Sequence, residues 1–234
     1  MTPLHADSLI TYGELMTDRD QQIIQLTDRY RIGTNAAYQK ALFGQQSLNA
    51  VSKVTARMCR QGWLQRYPLV PPEDYFTLGP KAVRQFGYSK GRTEPLGPQA
   101  LPIDYAVLLY ATHGERTRLL PNELRDFAPW LPDDLCHAPF CSTSRGVLEL
   151  IRVDLGGSPQ HVARKTASDC SKRMEVTEFR QLVVDRKFQL VVLTTTTAKA
   201  RLIRQAIEGL PWEANVQLHI AAISKLTFIH LRNQ

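Results

Sequence analysis

The most informative segment of the chain is Ser47-Leu-Asn-Ala-Val-Ser-Lys-Val-Thr-Ala-Arg-Met-Cys-Arg-Gln-Gly-Trp-Leu64. Serine is a favoured N-cap residue, and the residues suited to packing recur at the three- and four-residue spacing of one helix face. They are Val51, Val54, Thr55 and Met58. Gly62 then ends the periodic pattern ahead of two apolar residues. The segment therefore predicts an amphipathic helix from Ser47 to Gln61.

The opposite side of this helix carries residue types that suit a nucleic acid. They are Ser47, Asn49, Ala50, Ser52, Lys53, Arg57 and Arg60. Asparagine can pair with adenine, lysine or arginine with guanine, and serine with either, and the basic side chains also bind phosphates. An ordinary solvent-exposed helix face has a similar composition, so the pattern alone leaves that alternative open. We expect this face to contact double-stranded DNA.

The elements around the helix follow the order of a winged helix. Helices are predicted over residues 18–31 and 35–43, ahead of the helix that begins at Ser47. Two short strands over 64–67 and 74–78, joined by a proline-rich loop, follow that helix, and a further helix is predicted over 81–86. Three helices followed by a β-ribbon resemble the winged-helix regulators, in which the third helix enters the major groove. Tyr75-Phe-Thr-Leu-Gly-Pro-Lys81 resembles the exit from the wing of that family. Because the wing tip is apolar and carries Glu73-Asp74, we expect phosphate contacts from Arg66 and Lys81 at its base.

The charge of the chain is unevenly distributed. Its 234 residues include 29 Lys and Arg against 22 Asp and Glu, a formal net charge of +7. The 44 residues between Asp28 and Glu73 contain no carboxylate. The basic residues of this window are Arg29, Arg31, Lys40, Lys53, Arg57, Arg60 and Arg66. A long stretch without acids is typical of a surface that meets a polyanion, which agrees with DNA binding by the predicted helix.

The second part of the chain has a different pattern. Residues 89–101 are rich in turn formers and predict a linker between a first domain at 1–88 and a second domain at 102–234. An apolar helix is predicted at 102–113 and a short one near 120–129; strands at 147–154, 188–194 and 216–223 then alternate with helices at 169–184 and 198–209. This alternation predicts a small α/β domain with a partly parallel sheet. The whole chain is expected to combine an α+β winged helix with an α/β domain.

Two acidic residues of this second domain could hold a metal. Glu149 and Asp154, with Lys165 on the next segment, resemble in part a restriction-endonuclease site, where carboxylates hold Mg²⁺ and a lysine aids the attacking water. The Glu-x-Lys motif of that family is missing, and no Pro-Asp precedes the hairpin. The two carboxylates also lie an odd number of residues apart, so a regular strand places them on opposite faces. We expect a degenerate nuclease-like domain and no catalysis; a metal-dependent DNA nuclease is the alternative.

The whole chain resembles the replication-relaxation proteins of bacterial plasmids and integrated mobile elements. The similar segments are Leu15-Met-Thr-Asp-Arg-Asp-Gln-Gln-Ile-Ile24, the winged helix, the helix around 105–110, Leu148-Glu-Leu-Ile-Arg-Val-Asp-Leu-Gly156, Leu190-Val-Val-Leu-Thr-Thr195 and Ala200-Arg-Leu-Ile203. The resemblance implies a DNA-binding accessory in replication, relaxation, transfer or transcriptional control, with replication or transfer proteins as partners. The chain departs from the family at His137-Ala-Pro-Phe140, where an acidic pair is expected. An adaptor that binds only a protein partner is a further alternative.

Other motifs indicate no cofactor. The chain has neither the glycine-lysine phosphate loop nor the Rossmann glycine pattern, and no nucleophile signature. Cys136-His137-x-x-x-Cys141 is the one metal-like spacing, and it lacks a second ligand pair unless His161 or Cys170 completes it. We therefore predict no metal and regard the four cysteines as unreactive thiols.

Location and assembly can also be predicted. No run of 18 apolar residues could span a membrane, and residues 1–14 lack the pattern of a signal peptide. We expect a cytoplasmic protein without membrane contacts. A homodimer is expected because one winged helix buries little surface and palindromic DNA sites suit two copies.

Overall fold

The computed structural model describes residues 16–212 and 215–232. Its first half consists of α1 (Asp18–Tyr30), α2 (Asn35–Tyr38), α3 (Leu48–Arg60), β1 (Leu64–Val70), β2 (Glu73–Leu78) and α4 (Pro80–Phe86). One π-helical turn, Gln39–Phe43, continues α2. The first fifteen residues, which include the start of the predicted first domain and Leu15 of the family-like segment, lie outside the described residues.

Local capping fixes where α1 and α3 begin. The Thr17 hydroxyl accepts a hydrogen bond from the amide of Asp20 at 3.2 Å, and the Asp20 carboxylate accepts one from the amide of Thr17 at 3.2 Å. At α3, the Ser47 hydroxyl accepts from the amide of Ala50 at 3.3 Å. Both predicted helices are confirmed to within a residue or two at each end.

The core of the first half joins its helices to the β1–β2 hairpin. Its buried residues include Ile23, Tyr38, Val51, Met58, Trp63 and Phe76. Gly33 exchanges two backbone hydrogen bonds with Phe76, at 2.9 and 2.8 Å, and so fixes the α1–α2 connection to the hairpin. A Cβ at Gly33 would lie 2.0 Å from the Tyr38 hydroxyl, so only glycine permits this close approach. The hairpin and the α1–α2 connection therefore form a fixed support against which α3 packs.

The second half is built on one five-stranded sheet. Its elements are α5 (Ala100–Thr112), β3 (Arg116–Arg118), α6 (Pro121–Phe127), β4 (Phe140–Thr143), β5 (Leu148–Val153), α7 (Pro159–Met174), α8 (Thr177–Val184), β6 (Phe188–Thr194), α9 (Thr197–Glu208), β7 (Gln217–Ala222) and α10 (Leu226–Arg232). The strand order is β3-β4-β5-β6-β7. β3, β4 and β5 pair antiparallel, whereas β5, β6 and β7 pair parallel through helical crossovers, as the α/β pattern predicts.

Helices cover both faces of this sheet. Ile151 and Val191 pack on one face in a cluster with α5 and α10, whereas Leu150, Leu190 and Val192 pack on the other with α7, α8 and α9. Burial on both faces explains why residues 190–193 form a continuous apolar run rather than an alternating one. The strands predicted at 147–154, 188–194 and 216–223 are confirmed, as are the helices at 102–113 and 198–209.

Other predicted elements need correction. The single helix expected at 169–184 is wrong, because two helices, α7 and α8, occupy 159–184. Ser158 caps α7 through the amide of His161 at 3.2 Å, and Pro159 begins its first turn, so the start signal lies ten residues earlier than expected. β3, β4 and α10 were not predicted.

The fold is mixed α and β, and one hydrophobic cluster joins its two halves. Tyr30, Ile32 and Leu69 from the first half pack in this cluster with Tyr105 and Leu108 of α5. The predicted linker begins with a 3₁₀ turn, Lys90–Thr93, and its last two residues, 100 and 101, already belong to α5. The division into domains at 1–88 and 102–234 stays a prediction. Within the described part of the chain, no helix is long and apolar enough to cross a membrane.

Candidate nucleic-acid interface

The buried side of α3 is fixed by specific contacts. Val51, Thr55 and Met58 are buried, and the Thr55 hydroxyl donates a hydrogen bond to Asn35 Oδ1 at 2.9 Å. This bond joins α3 to the first residue of α2. The opposite side of α3 therefore has a defined orientation toward solvent.

That outer side is a polar stripe without carboxylates. Asn49, Ser52, Lys53 and Arg60 are exposed, and Ala50 is half-buried beside them. Ser47 is also exposed, but its hydroxyl is used as the helix cap. We call Asn49, Ser52, Lys53 and Arg60 the α3 stripe. Its members offer amide, hydroxyl, ammonium and guanidinium groups to a partner.

Arg57 has a different environment from the α3 stripe. Its guanidinium lies 2.6 Å from a carboxylate oxygen of Asp20, which is buried, and donates to Gln61 Oε1 at 3.1 Å. The sequence assigned Arg57 to the DNA-facing side. The structure places it where α3 is fastened to the first turn of α1, so its primary contact is within the protein.

The two hairpin residues predicted to bind phosphate are exposed but already contact other side chains of the protein. Arg66 lies 3.6 Å from Asp74 across the strands, and the Lys81 ammonium lies 4.3 Å from the centre of the Trp63 ring. The hairpin tip is packed on the second half, because Glu73 accepts hydrogen bonds from Lys225 and from the Tyr105 hydroxyl. The tip is therefore held by the protein itself.

The acid-free window is partly neutralised by acids from elsewhere in the chain. Besides Arg57 and Arg66, Arg29 forms a two-pronged pair with Glu123 at 2.6 and 2.8 Å, and Arg31 lies 3.9 Å from Asp104. Hydrogen bonds from Arg29 lower the pKa of Glu123 below its usual value. Within the described part of the chain, the window's basic residues without an ion pair are Lys40, Lys53 and Arg60.

The carboxylates considered for metal catalysis lie on opposite faces of the sheet. Glu149 is completely buried beside α5, where it accepts hydrogen bonds from Arg116 Nε at 3.0 Å and from the Tyr110 hydroxyl at 3.1 Å. Asp154 is buried at the other face, where Lys199 lies 2.6 Å away and the Thr194 hydroxyl donates at 2.6 Å. The predicted opposition of the two side chains is confirmed.

Lys165 is exposed on α7, at a cavity that Asp154 also lines. Among the side chains that the structure describes, in residues 16–212 and 215–229, no group of three His, Cys, Asp or Glu could hold a metal ion. Cys141 is buried, and burial raises the pKa of its thiol to about 12. The thiol is therefore protonated at neutral pH and is a poor metal ligand in this state.

Sequence reasoning missed the partner of Glu149. A carboxylate in a strand that is apolar on both sides needs a buried cation or a hydrogen-bond donor, and this requirement was the available signal. Arg116 supplies it from 33 residues earlier in the chain.

The comparisons with known proteins add no assignment: no protein-family model, no curated protein and no solved structure matches this chain.

Proposed function

We propose that the protein binds double-stranded DNA by placing α3 in the major groove. The observation that carries the proposal is the α3 stripe, an exposed helix side that combines base-pairing and phosphate-binding groups with no carboxylate. Asn49, Ser52 and Lys53 lie in the first half of α3, the part of a recognition helix that contacts base edges. Arg60, in the last turn, is placed to bind a phosphate.

We propose further that α1, α2, α3 and the hairpin form a winged helix. The element order supports this assignment, and Lys81 at the base of the hairpin is exposed for a phosphate contact. Since the hairpin tip is bound to α5 and to Lys225, this wing supports α3 rather than entering a groove. Specificity would then come from α3.

The second half is proposed to be a degenerate restriction-endonuclease-like unit. An antiparallel β4–β5 hairpin that continues into parallel strands with helical crossovers supports this proposal. Its two candidate carboxylates are separated and each has its own cationic partner. Together with the winged helix, this organisation favours an accessory protein of plasmid or mobile-element replication, relaxation or transfer over a nuclease.

The proposal is tested by fluorescence anisotropy with a labelled duplex selected from a random pool. If Lys40, Lys53, Arg60 and Lys81 each neutralise a phosphate, log K falls with log salt at a slope of about −3.5. The Lys53→Ala and Arg60→Ala double variant should reduce that slope by about 2. The charge-matched control is Arg186→Ala with Lys187→Ala, on an exposed turn of the second half. Equal binding by both double variants would refute binding through α3.

A homodimer is also proposed, since two copies of α3 would read a palindromic site about 34 Å apart. Sedimentation velocity at micromolar concentration, with and without the selected duplex, measures the stoichiometry. Selected sites that contain an inverted repeat and bind two chains support the dimer. A single chain on a non-repeated site contradicts it.

A further inference from the structure

A cavity away from the α3 stripe has the features of a small-molecule site. It has a volume of about 490 Å³ and lies between α2, the end of α5 and the end of β7. Small-molecule sites are typically concave, largely apolar and of this size, with a few polar groups that orient the ligand. Leu109, Ala221 and Ile223 form apolar parts of its wall.

The polar group of the cavity is an arginine held in one position. Arg116 Nε donates to both oxygens of the buried Glu149, at 3.2 and 3.0 Å, and its guanidinium carbon lies 4.4 Å from the centre of the Tyr110 ring. One terminal nitrogen lies close over Gly114, where a Cβ would sit 2.1 Å away. The Arg116 side chain remains 27% exposed. A fixed guanidinium with an accessible edge is well suited to bind an anion.

Burying Glu149 to orient Arg116 is energetically demanding. A fully buried carboxylate is tolerated only when it is paired and hydrogen-bonded. Neither Glu149 nor Arg116 belongs to the α3 stripe, and the sheet could have been packed there with apolar residues. Groups with strongly perturbed pKa values tend to cluster at functional sites, and burial raises the pKa of Tyr110, the third member of this cluster. The arrangement is therefore explained if Arg116 has a ligand to bind.

The charges around the cavity select the kind of ligand. No carboxylate lines the described wall, whereas His113, Arg116, His219 and Lys225 do. Lys225 is neutralised by Glu73 from the hairpin. Burial, and then the nearby Arg116, lower the pKa of His219, so its ring is neutral at physiological pH. Arg116 is likewise paired with Glu149, but through Nε, so its terminal nitrogens can still donate to a ligand. The cavity consequently offers one oriented guanidinium, an uncharged imidazole and apolar walls.

We propose that this cavity binds a small molecule in which a planar apolar body carries one anionic group, a carboxylate or a phosphate. The anionic group is bound by Arg116, and the body lies against Leu109, His219 and Ala221. A metal cation does not fit, because no carboxylate lines the described wall and the described residues hold no group of three side chains that could ligate a metal there. Ala36 of α2 also lines the cavity, next to the Asn35 that holds α3, so the ligand contacts the segment that supports the α3 stripe.

The experiment uses the full-length chain and the fluorescent probe 1-anilinonaphthalene-8-sulfonate, an aromatic anion. We expect one saturable site per chain. AMP or benzoate should displace the probe, whereas their uncharged counterparts adenosine and benzamide should compete at least tenfold less well, since hydrogen bonds to a charged group provide that much discrimination. Equal competition by the charged and uncharged molecules overturns the proposal, as does binding of many probe molecules per chain.

Three variants locate the site. Gly114→Ala displaces the guanidinium without removing its charge and should weaken probe binding about tenfold. Ala222→Trp fills the cavity and should abolish binding. His137→Ala, at a different cavity, is the matched control and should bind like the wild type. Each variant is first shown by circular dichroism to be folded. Unchanged binding by both Gly114→Ala and Ala222→Trp, or displacement by a DNA duplex but not by AMP or benzoate, would falsify the assignment.

Discussion

Replacing Arg57 with alanine should destabilise the fold and not only weaken DNA binding. The guanidinium lies 2.6 Å from the Asp20 carboxylate, and the two side chains are 32% and 2% exposed. Removing one partner of a fully buried ion pair costs about 3–5 kcal/mol. Solvent screens the exposed part of Arg57, and Asp20 keeps its hydrogen bond from the Thr17 amide. We therefore expect a loss of about 2 kcal/mol in the free energy of unfolding.

Urea unfolding followed by circular dichroism measures this loss. With a denaturant slope of about 3 kcal/mol per molar, the midpoint should fall by about 0.7 M. Lys53→Ala and Arg60→Ala are the controls, because both side chains are exposed and should change stability by less than about 0.5 kcal/mol. Asp20→Asn in the Arg57→Ala background should cost less than it does alone, because the two residues interact.

The result that refutes this reasoning is a midpoint for Arg57→Ala equal to that of Lys53→Ala. Arg57 would then contribute nothing to the attachment of α3 to α1. A loss of DNA affinity without a loss of stability would return Arg57 to the DNA-facing side, as the sequence alone suggested.

Four further predictions concern the second half. Because the folded-state pKa of His219 is lowered, its neutral imidazole stabilises the fold above about pH 6.5, and this stabilisation is lost as pH falls through the folded-state pKa. His219→Gln should therefore remove this pH dependence from the urea unfolding midpoints. The pKa of Glu123 is also lowered, so the stability that its ion pair with Arg29 provides is lost as pH falls below about 4.5. Glu123→Gln should therefore reduce the fall of the urea unfolding midpoint in that pH range. Asp154→Ala should cost about 3 kcal/mol in urea unfolding, since it leaves Lys199, only 20% exposed, and the buried Thr194 hydroxyl without their partner. Wild-type protein should show no Mg²⁺-dependent nicking of plasmid DNA.

Local structure was predictable where a cap, a helical period and a stop residue agree. α3 has all three signals, and its predicted limits differ from the observed ones by one residue at each end. The α7–α8 region failed because its break, at 175–176, contains neither glycine nor proline. With no stop residue at the break, the local pattern does not separate the two helices. The Ser158-Pro159 start signal was present, however, and could have placed α7 correctly.

The surface charge of the folded chain is harder to predict from the sequence than its helices, because ion pairs form between residues that are distant along the chain. Asp28 to Glu73 is free of acids along the chain, yet Glu123 reaches Arg29 across 94 residues. Asp104 likewise approaches Arg31. A linear count therefore overstates the positive surface, and the folded chain reduces it to a few exposed cations. Of the window, Lys53 and Arg60 are the two that belong to the α3 stripe.

The two-residue period of a strand explains why Glu149 and Asp154 do not form one metal site. It separates Glu149 from Asp154, so each carboxylate meets a different face of the sheet and a different cation. Which cation meets Glu149 depends on how β3 pairs with β4, since that pairing places Arg116 beside the sheet opposite Thr143. The same carboxylate that suggests metal binding in the sequence thereby becomes the residue that orients an arginine toward a cavity. Its chemistry is decided by the partner that the fold provides.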